Sequence, residues 1–426
     1  MANASSPSPR FQIFAPTAPG LESIAAGELK ALGVRGSQEV GGVAFGGELE
    51  RIYEANLWLR TASRVVVRLG QFHASTFYEL ERHSKKLPWS DFLPETGAVE
   101  VRVTCRKSKL YHSDAVAERV LSAIAGAPAR KIELRSASSV GDEDGEEGET
   151  GDSEGSSVGQ VRGPTQLFIV RIMHDQCEIS ADSSGELLHR RGYRKDVAKA
   201  PLRETLAAAM VLASGWAGQR GAPLLDPMCG SGTIPIEAAL IARGIAPGLQ
   251  RDFQFMKWPS FDRGLWNGII EKARSSVTNP KLDIRGADRD AGAISAAMHN
   301  AGRAGVAGDV RFSVESLSGS IAAIEEVANG EGWILTNPPY GVRVGESKDL
   351  RDLYATLGTA LKTKPGWRIG VLTSDAMLAG QMRLSLRPRF ATSNGGIPVS
   401  FLVSEKSGKA AIHSAKTSVG RNAGEL

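Results

Sequence analysis

The sequence predicts an α/β chain: a mostly parallel, doubly wound sheet domain over residues 195–405, preceded by two small α+β modules. Three observations carry this. Short apolar runs near 222–226, 282–287, 310–314, 332–336, 368–373 and 397–403 alternate with helical stretches, as parallel strands joined by crossover helices do. Leu224, Leu225 and Asp226 run into Pro227-Met228-Cys229-Gly230-Ser231-Gly232-Thr233, a strand, a glycine turn and a helix start. Before residue 190 the elements are short, and strands and helices follow one another too closely for a large sheet of that kind.

Length and composition fit this organisation. A chain of 426 residues has room for two or three domains. Apolar residues at 42% and charged residues at 23% describe a globular protein. No apolar run approaches a membrane span, and Met1 to Arg10 carries no apolar segment of a secretory signal. The three cysteines, Cys105, Cys177 and Cys229, have no paired spacing, which argues for a reducing, cytoplasmic setting without a disulfide framework. No metal is expected, since neither His-x-x-x-His nor Cys-x-x-Cys occurs. The formal charge is +4, but residues 141–154 hold eight acids and no base. Without them 51 basic residues face 39 acidic ones, an excess that favours a polyanionic partner such as RNA.

The first module covers 10–70. Residues 11–14 read as a strand, 20–32 as a helix stopped by Gly33, 42–45 as a strand, 49–59 as a helix and 64–69 as a β-branched strand. That order in so short a span suggests a ferredoxin-like unit. The second module covers 71–190. It is read as a helix over 76–86, an alternating strand over 99–105, and a helix over 115–125 capped by Ser113-Asp114. A hairpin over 166–173 and 177–181 turns at His174-Asp175-Gln176. Residues 136–163 are rich in Gly, Ser and acids and too poor in apolar groups to offset their ordering entropy, so a disordered surface insertion is expected there. The tail 406–426 reads the same way, with a few lysines.

The lead-in to the third domain, Leu188 to Lys195, sets Arg190, Arg191, Arg194 and Lys195 around Tyr193. Bases interleaved with an aromatic suit a phosphate backbone and an unstacked nucleobase. A helix over 202–212 precedes the glycine turn. Gly230 and Gly232 allow a tight turn and close ligand approach, and the following helix start offers free N–H groups. The pattern is neither a dinucleotide fingerprint nor a P-loop. Asp226 closes the first strand. Asp288 closes the second, where an acid can accept from both hydroxyls of a ribose. The connector 247–264 is long and holds Arg251, Phe253, Phe255, Trp258 and Phe261, residues that either pack on the sheet or line a substrate pocket.

Asn337-Pro338-Pro339-Tyr340 follows the apolar run Trp333-Ile334-Leu335. Two prolines stop the strand and stiffen the backbone at its end. The Asn337 amide oxygen and the Pro338 carbonyl are two adjacent acceptors, suited to an exocyclic amine with two N–H groups. The Tyr340 ring offers a face to the base that carries such an amine.

These residues resemble a known family. Asp226 to Thr233, Gly286-x-Asp288 and Asn337-Pro338-Pro339-Tyr340 are similar to the S-adenosylmethionine sites of class I methyltransferases acting on amino nitrogens. Leu188 to Arg194, the run Ala200 to Ala208, Ser108 to Ser113 and Asn394-Gly395-Gly396-Ile397 narrow the likeness to THUMP-domain RNA N2-guanine methyltransferases, in particular those of bacterial large-subunit rRNA. The likeness runs from about Phe11 to about Glu405. It implies a Rossmann-like class I methyltransferase domain preceded by ferredoxin-like and THUMP modules. It also implies S-adenosylmethionine as cofactor, held by Asp226, Met228, Cys229, Gly230, Ser231, Gly232, Thr233, Asp288, Arg289, Ser316 and Asn337. Catalysis would fall to Asn337, Pro338 and Tyr340, and RNA contact to Lys109, Arg190, Arg191, Arg194 and Lys195. The family pattern often has an Asp after the third strand; here Glu315-Ser316-Leu317 stands there, so the adenine contact passes to Glu315 or Ser316. Relatives that modify tRNA share the architecture, adenine-N6 DNA methyltransferases use a similar tetrapeptide, and a non-catalytic RNA-binding assembly factor is the rival of another class.

Overall fold

The computed structural model describes residues 10–126, 131–136, 165–196, 202–216, 221–324, 332–339 and 347–405. The acidic segment 137–163 and the tail 406–426 lie outside the described residues. The chain opens with Phe11–Pro16 (β1), Glu22–Ala31 (α1), Ser37–Glu39 (β2), Gly42–Gly47 (β3), Leu49–Trp58 (α2) and Val66–His73 (β4). This βαββαβ order, with β1 between β3 and β4 and every pair antiparallel, is the expected ferredoxin-like arrangement. It has one strand more than the sequence suggested. All of β2 is exposed, and Ser-Gln-Glu carries no apolar alternation to betray it.

Next come Phe77–Ser84 (α3), Thr96–Arg106 (β5), Ser113–Ala125 (α4), Lys131–Ser136 (β6), Thr165–Met173 (β7) and Gln176–Asp182 (β8). Thr76 and Glu79 close α3 with a capping box. Ser113 and Asp114 do not cap α4; they lie within its first turn, and His112 holds the cap position. His174 and Asp175 both take positive φ (51° and 61°), which makes the β7–β8 connection a two-residue hairpin. The modules expected at 10–70 and 71–190 share one sheet. Strand β4 crosses that boundary and pairs antiparallel with β8 from Val66 opposite Asp182 to His73 opposite Gln176. The result is a continuous eight-stranded sheet in the order β2-β3-β1-β4-β8-β7-β5-β6.

The second sheet has seven strands. Its elements are Glu204–Ser214 (α5), Leu224–Asp226 (β9), Thr233–Ala242 (α6), Arg263–Ser275 (α7), Ile284–Asp288 (β10), Ala291–Ala304 (α8), Val310–Val314 (β11), Leu317–Ala322 (α9), Gly332–Thr336 (β12), Ser347–Lys362 (α10), Trp367–Thr373 (β13), Ala376–Gln381 (α11), Leu386–Asn394 (β14) and Ile397–Ser404 (β15). The order β11-β10-β9-β12-β13-β15-β14 is parallel from β11 to β13 and ends in an antiparallel hairpin. Strand β9 lies between β10 and β12, so the chain winds one way from it and later the other. In open sheets ligands bind outside the carboxyl ends of strands at such a switch point.

The connector 247–264 joins the two sheets rather than lining a pocket. Phe253, Phe255 and Trp258 are buried in the N-terminal core. Tyr53 of α2 stacks on Phe255 at 4.4 Å, Trp258 meets Phe92 edge-on at 4.9 Å, and the Trp258 indole N–H donates to Gln166 Oε1 at 2.8 Å. Arg251 donates to the carbonyls of Glu186, Leu187 and Arg190. Among the described residues no helix is long and apolar enough to cross a membrane.

Candidate active site

At the switch point the ends of β9, β10 and β12 present Asp226, Asp288 and, just past Thr336, Asn337. The passage after β9 turns on Gly230 (φ +51°) and Gly232 (φ +85°). Gly232 is required twice over: its φ is left-handed, and a Cβ there would meet Ala297 Cβ at 2.9 Å and Phe312 Cζ at 3.1 Å. Gly232 also takes the N-cap position of α6, where no side chain caps the helix. The first amides of α6 are therefore left for a ligand carboxylate or hydroxyl.

The turn is tied to the neighbouring strand. The Cys229 N–H donates to Ala287 O at 2.9 Å, and the Gly230 N–H donates to Asp288 Oδ2 at 3.0 Å. Asp288 Oδ1 accepts from the Asp290 N–H, also at 3.0 Å. An ionised carboxylate has about four acceptor directions, so Asp288 braces the turn and keeps capacity for two hydroxyls. It is half-buried; Arg289 beside it is exposed, and Ser231 and Thr233 are buried. Cys229 is buried, and burial raises its thiol well above the ordinary value, with Asp226 and Asp288 adding to the effect. It is a packed residue, not a nucleophile.

Asp226 is buried, and desolvation pushes its carboxyl up to about 7, against the opposing pull of the Met228 amide. Met228 donates to its Oδ1 at 3.2 Å. The carboxyl ionises near 4 in the unfolded chain but near 7 when folded, so its burial costs stability increasingly as pH rises through that window. Asp226→Asn should therefore raise the thermal midpoint of the ligand-free protein relative to wild type at pH 8, and raise it much less at pH 5, where only the lower part of that window has been crossed. Scanning calorimetry at the two pH values checks this; an equal shift at both would contradict it.

Asn337 leaves the sheet at the end of β12. Its Oδ1 is buried and has no hydrogen-bond partner among the described residues. Pro338 is buried and Pro339 exposed, while Tyr340 lies outside the described residues. A buried acceptor without a donor costs on the order of 1–3 kcal/mol, which makes this oxygen a candidate acceptor for a ligand donor.

Other expected residues fall elsewhere. Ser316 is exposed and caps α9, accepting from the Gly319 N–H at 3.1 Å; Glu315 donates its N–H to Asp288 O at 3.0 Å, which keeps this stretch beside the second acid. The basic lead-in is largely structural. Arg191 is 3% exposed, donates to the carbonyls of Leu188 and Arg60, and lies 3.5 Å from Glu237. It cannot contact a phosphate. Tyr193 is 2% exposed, with its hydroxyl on Glu237 Oε1, so it is no stacking platform. Arg194 pairs with Glu204 at 3.1 Å and donates to Leu202 O. Arg190 and Lys195 are exposed, as is Lys109, whose N–H donates to Asp175 Oδ1 at 2.7 Å on the β7–β8 hairpin. The turn thus gathers Asp226, Met228 to Thr233, Asp288 and Asn337 at the carboxyl ends of neighbouring inner strands and leaves the cations outside it. Glu237, the one acid in the apolar run Thr233 to Ala242, was the available signal that a buried cation lay opposite. Among the described residues no group of three His, Cys, Asp or Glu could hold a metal ion.

Comparison with known proteins agrees with this geometry. Residues 191–400 match the model of the RMKL-like methyltransferase domain, UPF0020, and residues 12–66 match the RlmL ferredoxin-like domain. The "Ribosomal RNA large subunit methyltransferase K/L" of Syntrophotalea carbinolica is 36% identical over 395 residues, covering 91% of this chain and 52% of that protein. The chain thus spans about half the length of the K/L relatives it matches. The "Putative RNA methyltransferase slr0064" of Synechocystis is 34% identical over 393 residues, 91% of this chain and 95% of that one. Among solved structures, "SMU.472, a putative methyltransferase complexed with SAH" superposes with a TM-score of 0.78 at 28% identity, covering 94% of this chain and 99% of that one. A "predicted N6-adenine-specific DNA methylase" from Listeria monocytogenes does so with 0.78 at 32% identity, covering 93% and 97%. With a relative of matching length at this identity and the turn, acid and proline corner in place, the chain belongs to the RMKL-like methyltransferase family.

Proposed function

We propose that this protein is an S-adenosylmethionine-dependent RNA methyltransferase that methylates the exocyclic N2 amine of a guanosine in large-subunit, 23S, rRNA. The observation that carries the proposal is the buried Oδ1 of Asn337, which has no partner among the described residues and stands at the end of the strand paired with β9. The cofactor fits the residues present. The α6 amides suit the carboxylate of its methionine part, Asp288 has acceptor capacity for its ribose hydroxyls, and Glu315 and Ser316 stand beside Asp288 for its adenine. Bound there, the cofactor supplies a methyl group already activated by a sulfonium.

The chain's own task is placement. Asn337 Oδ1 and the Pro338 carbonyl accept the two N–H bonds of guanine N2, which turns the amine lone pair outward. Positioning of this kind contributes roughly 7–11 kcal/mol in favourable cases. The proline pair keeps the two acceptors rigid, so no ordering cost falls at the moment of reaction. The product amine gives its extra proton to water. A paired base cannot reach such a corner, so the nucleotide is flipped or unpaired, and stacking on Tyr340 returns about 1–3 kcal/mol. Residues 71–190 act as the THUMP module that, with 10–70, holds the RNA, and Lys109, Arg190 and Lys195 are its surface cations. This is work for a cytoplasmic protein.

The rivals are separated by one assay. The full chain is incubated with methyl-labelled cofactor and, separately, deproteinised 23S rRNA, tRNA and DNA, and the labelled nucleosides are identified. N2-methylguanosine in rRNA is the expected product. N6-methyladenine in DNA would transfer the corner to the other base, label confined to tRNA would move the substrate, and no label in any pool would favour an assembly factor.

A further inference from the structure

The glycine turn has a support that lies outside its own motif. Asn300, on α8, is fully buried. Its Nδ2 donates to Ser231 O at 3.1 Å and to Asp196 O at 3.0 Å. Ser231 sits between the two left-handed glycines of the turn; Asp196 belongs to the linker that leaves the N-terminal sheet. One carboxamide therefore ties the two backbones together. Gly232 offers little resistance to rotation of the Ser231–Gly232 peptide, so the plane of that peptide needs an external hold. The same peptide is fixed at its other end, where the Gly232 N–H donates to Cys229 O at 2.8 Å.

The linker is held from both sides. Arg303, on the same helix, donates from Nε to Tyr193 O and from Nη2 to Asp196 Oδ2, both at 2.7 Å. On α6, Glu237 accepts the Tyr193 hydroxyl at 3.1 Å. Toward the N-terminal sheet, Arg191 donates to Arg60 O, and Arg60 in turn donates to Ile245 O at 2.6 Å.

We propose that Asn300 is a positioning residue for cofactor binding: its carboxamide fixes the Ser231–Gly232 peptide against the linker, so the turn keeps its ligand-ready shape while the linker lies on α8. This rests on the cofactor role proposed above for the turn. Asn300 need touch neither cofactor nor RNA; it acts through the Ser231 carbonyl. Asn300→Asp keeps the volume but replaces the donor with an oxygen that repels both carbonyls. Arg303→Gln removes the guanidinium that donates to Asn300 Oδ1 and to Asp196 Oδ2, but leaves both bonds of Asn300 Nδ2 in place.

The test is calorimetric titration of the full-length variants with S-adenosylhomocysteine, well below their thermal midpoints, together with steady-state kinetics. Asn300→Asp should raise the dissociation constant about tenfold or more, raise KM for the cofactor in parallel, and leave kcat at saturating cofactor within about twofold. Arg303→Gln should weaken binding about three- to fivefold, as loss of a part-exposed ion pair allows. A merely structural residue would lower the midpoint without this split between KM and kcat. If both variants bind the ligand as wild type does, or if Asn300→Asp fails to fold and Arg303→Gln binds as wild type, the inference is overturned. If wild type itself does not bind, the reading of the turn fails instead.

Discussion

Asn337→Ala should lower the rate of methyl transfer on the order of 10²–10³-fold, as the removal of one preorganised polar group at a reacting centre does, while S-adenosylhomocysteine affinity stays within about threefold of wild type. The side chain stands one residue beyond a fully buried strand, and its Oδ1 has no partner among the described residues. Nothing in the described fold needs that oxygen, so its removal should not cost stability; it deletes an unsatisfied acceptor. What it removes is one of two acceptors that orient the substrate amine. Single-turnover transfer with saturating RNA and cofactor separates this from a binding defect. Transfer at the wild-type rate would exclude Asn337 from the reaction.

Arg191→Ala should cost about 3–5 kcal/mol of stability, as breaking a buried ion pair does, and lower the thermal midpoint by several degrees. The guanidinium joins Leu188 O and Arg60 O and faces Glu237, which is itself fully buried. Its loss leaves the Glu237 carboxylate in the interior and loosens the seam between the two sheets. Arg190→Ala, one residue away and exposed, should leave the midpoint unchanged. Differential scanning fluorimetry of the two variants checks the contrast. Equal midpoints, with weaker RNA binding in Arg191→Ala, would restore the phosphate-contact role that the charge pattern alone suggested.

That contrast shows where a sequence stops being legible. A cluster of Arg around Tyr193 reads as a surface for RNA because charge is usually exposed. Its buried partners are Glu204, on the next helix, and Glu237, much farther along the chain, and their meeting is a tertiary fact. The parallel strands β9, β10, β12 and β13 were readable because burial on both faces makes them apolar runs. The strands that left no such pattern, β2, β6 and β14, all lie at sheet edges, where half the ladder is free and polar residues are tolerated. Strand β14 even carries Pro388 at a bulge, and only the likeness of Asn394 to Ile397 to a final hairpin hinted at it. The turn itself was legible because the left-handed backbone at Gly230 and Gly232 demands glycine locally, whatever packs against Gly232 from a distance. Asn300 was not, since a lone amide in a helix of small residues gives no sign that it holds a turn in a distant segment. The connector 247–264 left packing and pocket both open, and the stacking of Phe255 on Tyr53 decides for packing.

The central claim is that the proline-stiffened corner at Asn337 and the glycine turn after β9 form one site. A crystal structure of the full chain with S-adenosylhomocysteine tests it most directly. The ligand's carboxylate is expected at the start of α6, its ribose on Asp288, and its sulfur facing Asn337 Oδ1 across a space open to a base. A ligand seated elsewhere, or a sulfur shut off from Asn337 by protein, would contradict it.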